Sequence, residues 1–204
     1  MGDLPKRILT GLILGILTVG AVLYLPNYIF KLCIALLSGL AVWEVARLLD
    51  KKYTGLEPVK TGIVGFFTSF SILFLSPFFA LLIIFLYSFY IAHKHYDINY
   101  LTTSSFSLVY GGFFVSSLGL LHQIDKNLLF VLFATVWSED ILAYFVGKSI
   151  GKNKLAPRLS PKKTWEGAVG GFLGAVIIGG LTAYWLKIYD AYIPIFVAAV
   201  LGQI

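Results

Sequence analysis

The chain alternates between long apolar runs and short polar breaks, and this pattern predicts membrane-spanning helices. A helix needs about 20 apolar residues to cross the hydrocarbon core of a bilayer. The runs that we predict to be spans are residues 7–25, 28–48, 61–76, 78–93, 104–122, 128–148, 165–186 and 192–204. The predicted fold class is therefore all-α, a polytopic transmembrane helical bundle of about eight spans with the last one incomplete.

The polar breaks are short, apart from the segment 149–164 after the sixth span. Pro157 and Pro161 interrupt helical structure there, so we predict an ordered loop on the cytoplasmic side. The third and fourth spans are short and separated only by Ser76-Pro77, so one kinked hairpin is the alternative to two full crossings. We treat residues 1–204 as a single integral membrane domain.

Composition supports the membrane assignment. Hydrophobic residues make up 58% of the chain and charged residues only 13%, whereas soluble domains carry about 25% charged residues. Because these few charges cannot cover an apolar core of this size, the bilayer must be its solvent. The formal net charge of +6 reflects the basic residues of cytoplasmic loops rather than binding to nucleic acid.

The positions of the basic residues predict the orientation. If the N-terminus is cytoplasmic, thirteen of the sixteen Lys and Arg residues lie on the cytoplasmic side and only Lys31, Lys126 and Lys187 lie opposite. The thirteen are Lys6, Arg7, Arg47, Lys51, Lys52, Lys60, Lys94, Lys148, Lys152, Lys154, Arg158, Lys162 and Lys163. This asymmetry follows the positive-inside rule, and we predict a multi-pass protein of the cell (inner) membrane with a cytoplasmic N-terminus.

Carboxylates inside the spans are the first candidates for chemistry. Glu44 lies in the second span, and Glu139 and Asp140 lie in the sixth. A charge in the bilayer is costly, so such residues usually face a polar cavity. Adjacent helical residues point about 100° apart, so only one of the second pair need face it, and we favour Asp140. The alternative for Glu44 is an ion pair with Arg47 three residues later.

The basic segment before the seventh span is the second candidate. Ser160 precedes Pro161, and proline is favoured at the first helical position, so we predict that Ser160 caps the next helix. The free N–H groups of that helix, together with Arg158, Lys162 and Lys163, would form a phosphate-binding site. The alternative is a general patch for anionic lipids.

Acids within the membrane and a basic loop on the same side suggest a divalent cation that bridges carboxylates to phosphates. Glu166, in the first turn of the predicted seventh helix, could cap that helix or reach the metal. A hydrophobic substrate with a phosphate head group fits this location. The glycines of that span include two pairs at GxxxG spacing, Gly167/Gly171 and Gly170/Gly174, which we assign to helix packing and to a possible homodimer.

Several motifs carry a resemblance to a known family. They are Asp140-Ile-Leu-Ala-Tyr-Phe-Val-Gly147, Gly151-Lys-Asn-Lys-Leu-Ala-Pro157, Ser160-Pro-Lys-Lys-Thr-Trp-Glu-Gly167 with Gly170-Gly171, and Trp43-Glu44. With these motifs the chain resembles the phosphatidate cytidylyltransferase, or CDP-diacylglycerol synthase, family. The similarity is dense over residues 137–174, and elsewhere it extends only to hydropathy.

The resemblance implies a reaction and a set of residues. CTP and phosphatidic acid would give CDP-diacylglycerol and pyrophosphate, with Mg²⁺ as cofactor, in phospholipid biosynthesis. It implies catalytic roles for Asp140, Lys162, Lys163 and Glu166, substrate phosphate binding by Lys154, Arg158, Ser160 and Thr164, and metal binding by Asp140 with Glu44.

The sequence departs from the family in lacking its C-terminal acidic signature, which is expected to hold metals. We therefore expect this chain to be a fragment that lacks part of the metal site and is inactive on its own. Two alternative functions stay open. One is a CTP-dependent lipid kinase, and the other is an ion- or proton-coupled transporter, against which the lack of an internal inverted repeat argues.

Overall fold

The computed structural model describes residues 4–52, 55–158 and 160–202, with side chains from Leu9 onward. The helices are α1 (Leu4–Tyr24), α2 (Asn27–Asp50), α3 (Pro58–Phe70), α4 (Pro77–His95), α5 (Ile98–Ser107), α6 (Val115–Ile124), α7 (Asn127–Ile150), α8 (Trp165–Trp185) and α9 (Tyr192–Leu201). Two π-helical segments, Ser71–Leu75 and Leu108–Phe114, extend α3 and join α5 to α6. A 3₁₀ turn, Tyr189–Ala191, precedes α9. The strands are β1 (Lys154–Ala156) and β2 (Ser160–Thr164).

The described helices agree with an all-α polytopic membrane bundle. Six of them are long and apolar enough to cross a bilayer, namely α2, α3 with its π-helical extension, α4, the continuous segment Ile98–Ile124, α7 and α8. The apolar helices Leu9–Tyr24 and Tyr189–Leu201 are shorter. The third and fourth predicted spans are the separate helices Pro58–Leu75 and Pro77–His95, of 18 and 19 residues, so each has the length to cross.

The chain divides into two compact units, residues 1–124 and 125–204. In the first unit α2 is the central helix, because close-packed glycines of neighbouring elements surround Val42. A Cβ added at Gly65 would meet Val42 Cβ at 2.6 Å, and one at Gly111 would meet the Val42 backbone nitrogen at 2.7 Å. Glycine is therefore required at both positions to let the helices approach this closely.

Buried hydroxyl groups satisfy the backbone at the second π-helical segment. Ser38 Oγ donates a hydrogen bond to the carbonyl oxygen of Gly111 at 2.9 Å, and Ser116 Oγ donates to that of Gly112 at 2.6 Å. A π-helical turn disturbs the regular helical hydrogen bonds, and a membrane interior has no water to replace them. The serine side chains therefore take over that role inside this unit.

In the second unit α7 and α8 pack against each other in opposite directions. Gly167 of α8 lies against Gly147 of α7, and Gly179 lies against Thr135. The two helices are therefore antiparallel. The prediction that the glycines of this span serve helix packing is confirmed within the chain.

The predicted loop 149–164 contains a small antiparallel hairpin. Lys154 is paired with Thr164, and Ala156 with Ser160. An all-α prediction has no place for this sheet. Pro161 fits in β2 because both strands of a two-stranded sheet are edge strands, where a missing backbone N–H is tolerated. The hairpin connects the end of α7 to the start of α8.

Candidate active site

The second unit contains a cavity of about 420 Å³ between α7, α8 and the hairpin. Its polar lining consists of Asp140, Tyr144 and Lys148 from α7, and Lys162, Lys163 and Thr164 from β2. The remaining lining residues are small or apolar: Ala143, Gly147, Leu155, Gly167 and Ala168. We call this cavity the α7–α8 pocket. Its volume lies in the range of ligand-binding sites in proteins, about 300–1,000 Å³.

Helical spacing explains how α7 supplies half of the pocket. Asp140, Tyr144 and Lys148 are each four residues apart, and residues four apart share one face of a helix. Ala143 and Gly147 lie on the same face. Glu139, one residue before Asp140, is outside this face and is buried, with 7% of its surface exposed. Gly202, which follows α9, packs closely against the Glu139 carboxylate, since a Cβ added at Gly202 would lie 2.6 Å from Glu139 Oε2.

Thr164 fixes the junction between β2 and α8. Its backbone is extended, at φ −125° and ψ 154°, and its Oγ1 accepts a hydrogen bond from the N–H of Gly167 at 3.1 Å. Thr164 is therefore the N-cap of α8, and the prediction that Ser160 caps this helix is wrong. Ser160 instead begins β2 opposite Ala156, because strand pairing keeps the backbone extended for four more residues.

The pocket has an excess of positive charge. Lys148, Lys162 and Lys163 line it with a single carboxylate, that of Asp140. In the described part of the chain, the ion pairs within 4 Å are those of Glu57 with Lys60 and Lys94, and none involves the three pocket lysines. The charge of Lys163 also acts on the nearby Glu139 carboxylate. A cavity lined in this way favours an anionic ligand.

Four predicted site residues line the pocket, and four from the same region do not. Asp140, Lys162, Lys163 and Thr164 are in the lining, whereas Lys154, Arg158, Ser160 and Glu166 are outside it. Lys154 and Arg158 are exposed on β1 and in the hairpin turn.

Glu166 lines a separate apolar groove with Val146, Ile150 and Trp165. Its Oε1 accepts hydrogen bonds from Asn153 Nδ2 at 2.9 Å and from the Asn153 backbone N–H at 3.2 Å. The Asn153 carbonyl oxygen in turn accepts from the N–H of Trp165 at 2.9 Å. This arrangement ties the start of the hairpin to the first turn of α8.

Glu44 lies in the first unit, exposed on α2. The suggested ion pair between Glu44 and Arg47 is not formed. The guanidinium of Arg47 instead lies over the Trp43 ring, 5.5 Å from its centroid. The role of Glu44 in metal binding stays a prediction.

Tyr144 and Lys148 line the pocket but were not among the site residues that the sequence predicted. The Lys148 ammonium lies over the Tyr144 ring, with Nζ 5.6 Å from the ring centroid. The signal that could have found them is the four-residue spacing from Asp140 along a helix.

The donor set fits a magnesium ion that is shared with a substrate. In the described residues no group of three or more His, Cys, Asp or Glu side chains could enclose a metal ion. Mg²⁺, however, is commonly bound by only one or two carboxylates together with substrate phosphates. Asp140, in a pocket suited to phosphates, supplies a carboxylate of this kind.

Comparisons with known proteins identify the family of the chain. The sequence model described as the cytidylyltransferase family matches residues 5–204. The phosphatidate cytidylyltransferase of Aquifex aeolicus (strain VF5) is 32% identical over 182 residues, or 87% of this chain and 64% of that protein. The enzyme of the same name from Bacillus subtilis (strain 168) is 27% identical over 197 residues, or 87% of this chain and 71% of that protein.

A shorter and stronger similarity is found with the phosphatidate cytidylyltransferase of Brucella abortus biovar 1 (strain 9-941). It is 51% identical over 79 residues, or 37% of this chain and 29% of that protein. No solved structure matches the chain.

Proposed function

This chain belongs to the cytidylyltransferase family, and on that basis we propose that its protein transfers a cytidylyl group from CTP to phosphatidic acid. The products would be CDP-diacylglycerol and pyrophosphate. The observation that carries the proposal is the α7–α8 pocket, in which three lysines and one aspartate lie between membrane-spanning helices. Among the described residues, these lysines form no ion pair within 4 Å. Such a pocket suits two polyanions that must meet at a bilayer.

The reaction requires no covalent intermediate with the protein. An oxygen of the lipid phosphate attacks the α-phosphorus of CTP, and the bond from that phosphorus to the oxygen bridging the α- and β-phosphates breaks. Pyrophosphate leaves with the electron pair of this bond. The protein must bring the two anions together and stabilise the charge that shifts onto the leaving group. Lys162 and Lys163 would serve this purpose from β2.

Asp140 is the residue that would hold Mg²⁺ in the pocket. When bound, the ion would neutralise phosphate charge and help to align the reacting groups.

We place the pocket on the cytoplasmic side of the cell membrane, where CTP is available. The support is the basic character of the hairpin, which follows the positive-inside rule. For self-association, the proposal places the contact on α1. A Cβ added at Gly11 or Gly15 would meet no atom within 4 Å, whereas four glycines of α8 already pack against α7, namely Gly167, Gly170, Gly174 and Gly179.

Labelled CTP tests the proposed reaction directly. The full-length protein in detergent, with phosphatidic acid and Mg²⁺, is given CTP labelled at either the α- or the γ-phosphorus. We expect the α-label in the lipid product and the γ-label in pyrophosphate. Transfer of the γ-label to lipid would identify a CTP-dependent kinase instead. No label in lipid, together with cation flux in proteoliposomes, would favour the transporter.

A further inference from the structure

Two side chains of the pocket that the proposed reaction has not used are paired on α7. The Nζ atom of Lys148 lies 5.6 Å from the centroid of the Tyr144 ring and 3.5 Å from its phenol oxygen. Both residues line the α7–α8 pocket. The attraction between an ammonium group and an aromatic face restricts the otherwise flexible lysine. We call these two residues the Tyr144–Lys148 pair.

The pair presents two hydrogen-bond donors side by side. The ammonium has three N–H donors, and the phenol has an O–H donor that its weak contact with Lys148 does not use. Lys148 forms no ion pair in the part of the chain that the structure describes. Donors 3.5 Å apart can each bind a different oxygen of one phosphate group. Such charge-assisted bonds are roughly twice as strong as neutral ones.

The depth of the pair indicates which phosphate it binds. Lys148 lies in the last turn of α7, whereas Asp140, eight residues earlier, lies about 12 Å further into the span at 1.5 Å per residue. The end of a span lies near the phosphate level of the lipids, and tyrosine favours this interface. Tyr144 is 60% exposed, as expected for a side chain that also borders the bilayer.

The hairpin lysines enter the pocket from the aqueous side. Lys162 and Lys163 belong to β2, which lies outside the membrane-spanning helices, so the aqueous nucleotide reaches them first. We propose that the Tyr144–Lys148 pair binds the phosphate of the lipid substrate, while the β2 lysines bind the phosphates of the nucleotide. This inference rests on the proposed function for the identity of the lipid.

Steady-state kinetics of the full-length protein separate the two sources of phosphate. Lys148→Met and Tyr144→Phe each remove one donor and keep most of the side-chain shape. We expect the apparent KM for phosphatidic acid in mixed micelles to rise about tenfold for Lys148→Met and about threefold for Tyr144→Phe. The KM for CTP should stay within about twofold, and Lys148→Arg should restore most of the lipid affinity because it keeps the charge.

The matched control is Lys152→Met, which removes an exposed lysine that does not line the pocket. It should leave both KM values unchanged. A rise in the KM for CTP with Lys148→Met would assign the pair to the nucleotide and overturn the proposal. Unchanged KM values in all variants would also overturn it.

A binding measurement keeps this test independent of the reaction. Detergent-solubilised protein is incubated with labelled phosphatidic acid or labelled phosphatidylcholine, and the retained lipid is counted. We expect preferential retention of phosphatidic acid that is lost in Lys148→Met and kept in Lys152→Met. If no cytidylyl transfer occurs but this pattern holds, the proposed function fails and the lipid-phosphate site stands. If all variants retain phosphatidic acid equally, or if the wild type does not prefer it over phosphatidylcholine, the assignment of the lipid phosphate to this pair is wrong.

Discussion

The Oγ1 atom of Thr164 accepts a hydrogen bond from the N–H of Gly167 at 3.1 Å, and this bond joins β2 to α8 at the wall of the pocket. The Thr164 side chain is buried, and Cβ atoms added at Gly147 or Gly151 would lie within 3.0 Å of it. One hydroxyl therefore caps a membrane-spanning helix and also sets the spacing between that helix and the end of α7.

Thr164→Ala should destabilise the protein by about 1 kcal/mol, because it leaves an N–H group of the first turn of α8 without its cap. The thermal unfolding midpoint in detergent measures this loss. Thr164→Ser, which keeps the hydroxyl, should recover most of it. Thr182→Ala is the matched control, since that hydroxyl donates to the Ile178 carbonyl oxygen within the same helix. Equal midpoints for Thr164→Ala and Thr182→Ala would contradict the capping role.

Gly167→Ala should force α7 and α8 apart. The added Cβ would meet the Ala143 carbonyl oxygen at 2.8 Å and the Gly147 Cα at 3.1 Å, and backbone atoms cannot move aside alone. Overpacking of this kind costs about 1–3 kcal/mol.

Gly180→Ala, on the same helix, is the control, because its nearest neighbour would be a Tyr192 ring atom at 3.8 Å. Alanine favours a helix over glycine by up to about 1 kcal/mol, so this variant should be neutral or more stable. The same unfolding assay compares the two. A Gly167→Ala protein as stable as the wild type would show that the helices are less tightly packed than described.

Glu166→Gln distinguishes a chemical role for this residue from a structural one. A glutamine oxygen can still accept from Asn153, so we expect most of the cytidylyl transfer activity to survive. Glu166→Ala removes the acceptor and should speed hydrogen–deuterium exchange at the Trp165 N–H, since that N–H bonds to Asn153. If Glu166→Gln abolishes activity while exchange at Trp165 stays slow, the carboxylate acts in the reaction after all.

Glu57, in the first unit, links stability to pH. Hydrogen bonds from Lys60, whose Nζ is 2.6 Å from Oε2, and from Lys94 lower the pKa of Glu57 from 4.5 to about 2. A lowered carboxyl pKa adds stability that is fully present above pH 4.5 and is lost as the pH falls towards 2.

Glu57→Gln should therefore unfold at a lower temperature than the wild type at pH 7, and the difference should shrink as the pH falls below about 4.5. Unfolding midpoints measured from pH 7 to pH 3 give the comparison. In the Lys94→Met variant, the unfolding midpoint should change less between pH 7 and pH 3 than in the wild type, because one of the two donors to Glu57 is removed. A difference that does not depend on pH would mean that Glu57 acts through packing alone.

Cysteine labelling tests the orientation. In a Cys33→Ser background, Lys126→Cys and Lys152→Cys place one thiol at each end of α7, a helix long enough to cross the bilayer. Both lysines are exposed. In spheroplasts, a membrane-impermeant maleimide should label the thiol at position 126 and leave the one at position 152 until the cells are lysed. The reverse pattern would place the pocket outside the cell.

Hydropathy and charge were sufficient to predict the membrane class and the apolar helices. They also singled out Asp140, Lys162 and Lys163, which line one pocket. The bilayer responds to the apolar length of each segment, and this length is a local property of the chain. The positive-inside rule is likewise a count along the sequence. The motif from Ser160 to Gly167 pointed to the family for the same reason, since it is a continuous string of residues.

The assignments that needed three dimensions all depend on how the hairpin pairs and how closely two helices approach. Pairing of Lys154 with Thr164 moved the cap of α8 from Ser160 to Thr164, a shift that no local preference predicts. The contact with Asn153 turned Glu166 away from the pocket. Contacts between residues far apart in the chain are set by packing, which a one-dimensional pattern does not contain, and they decide which of the many basic and acidic side chains face a common cavity.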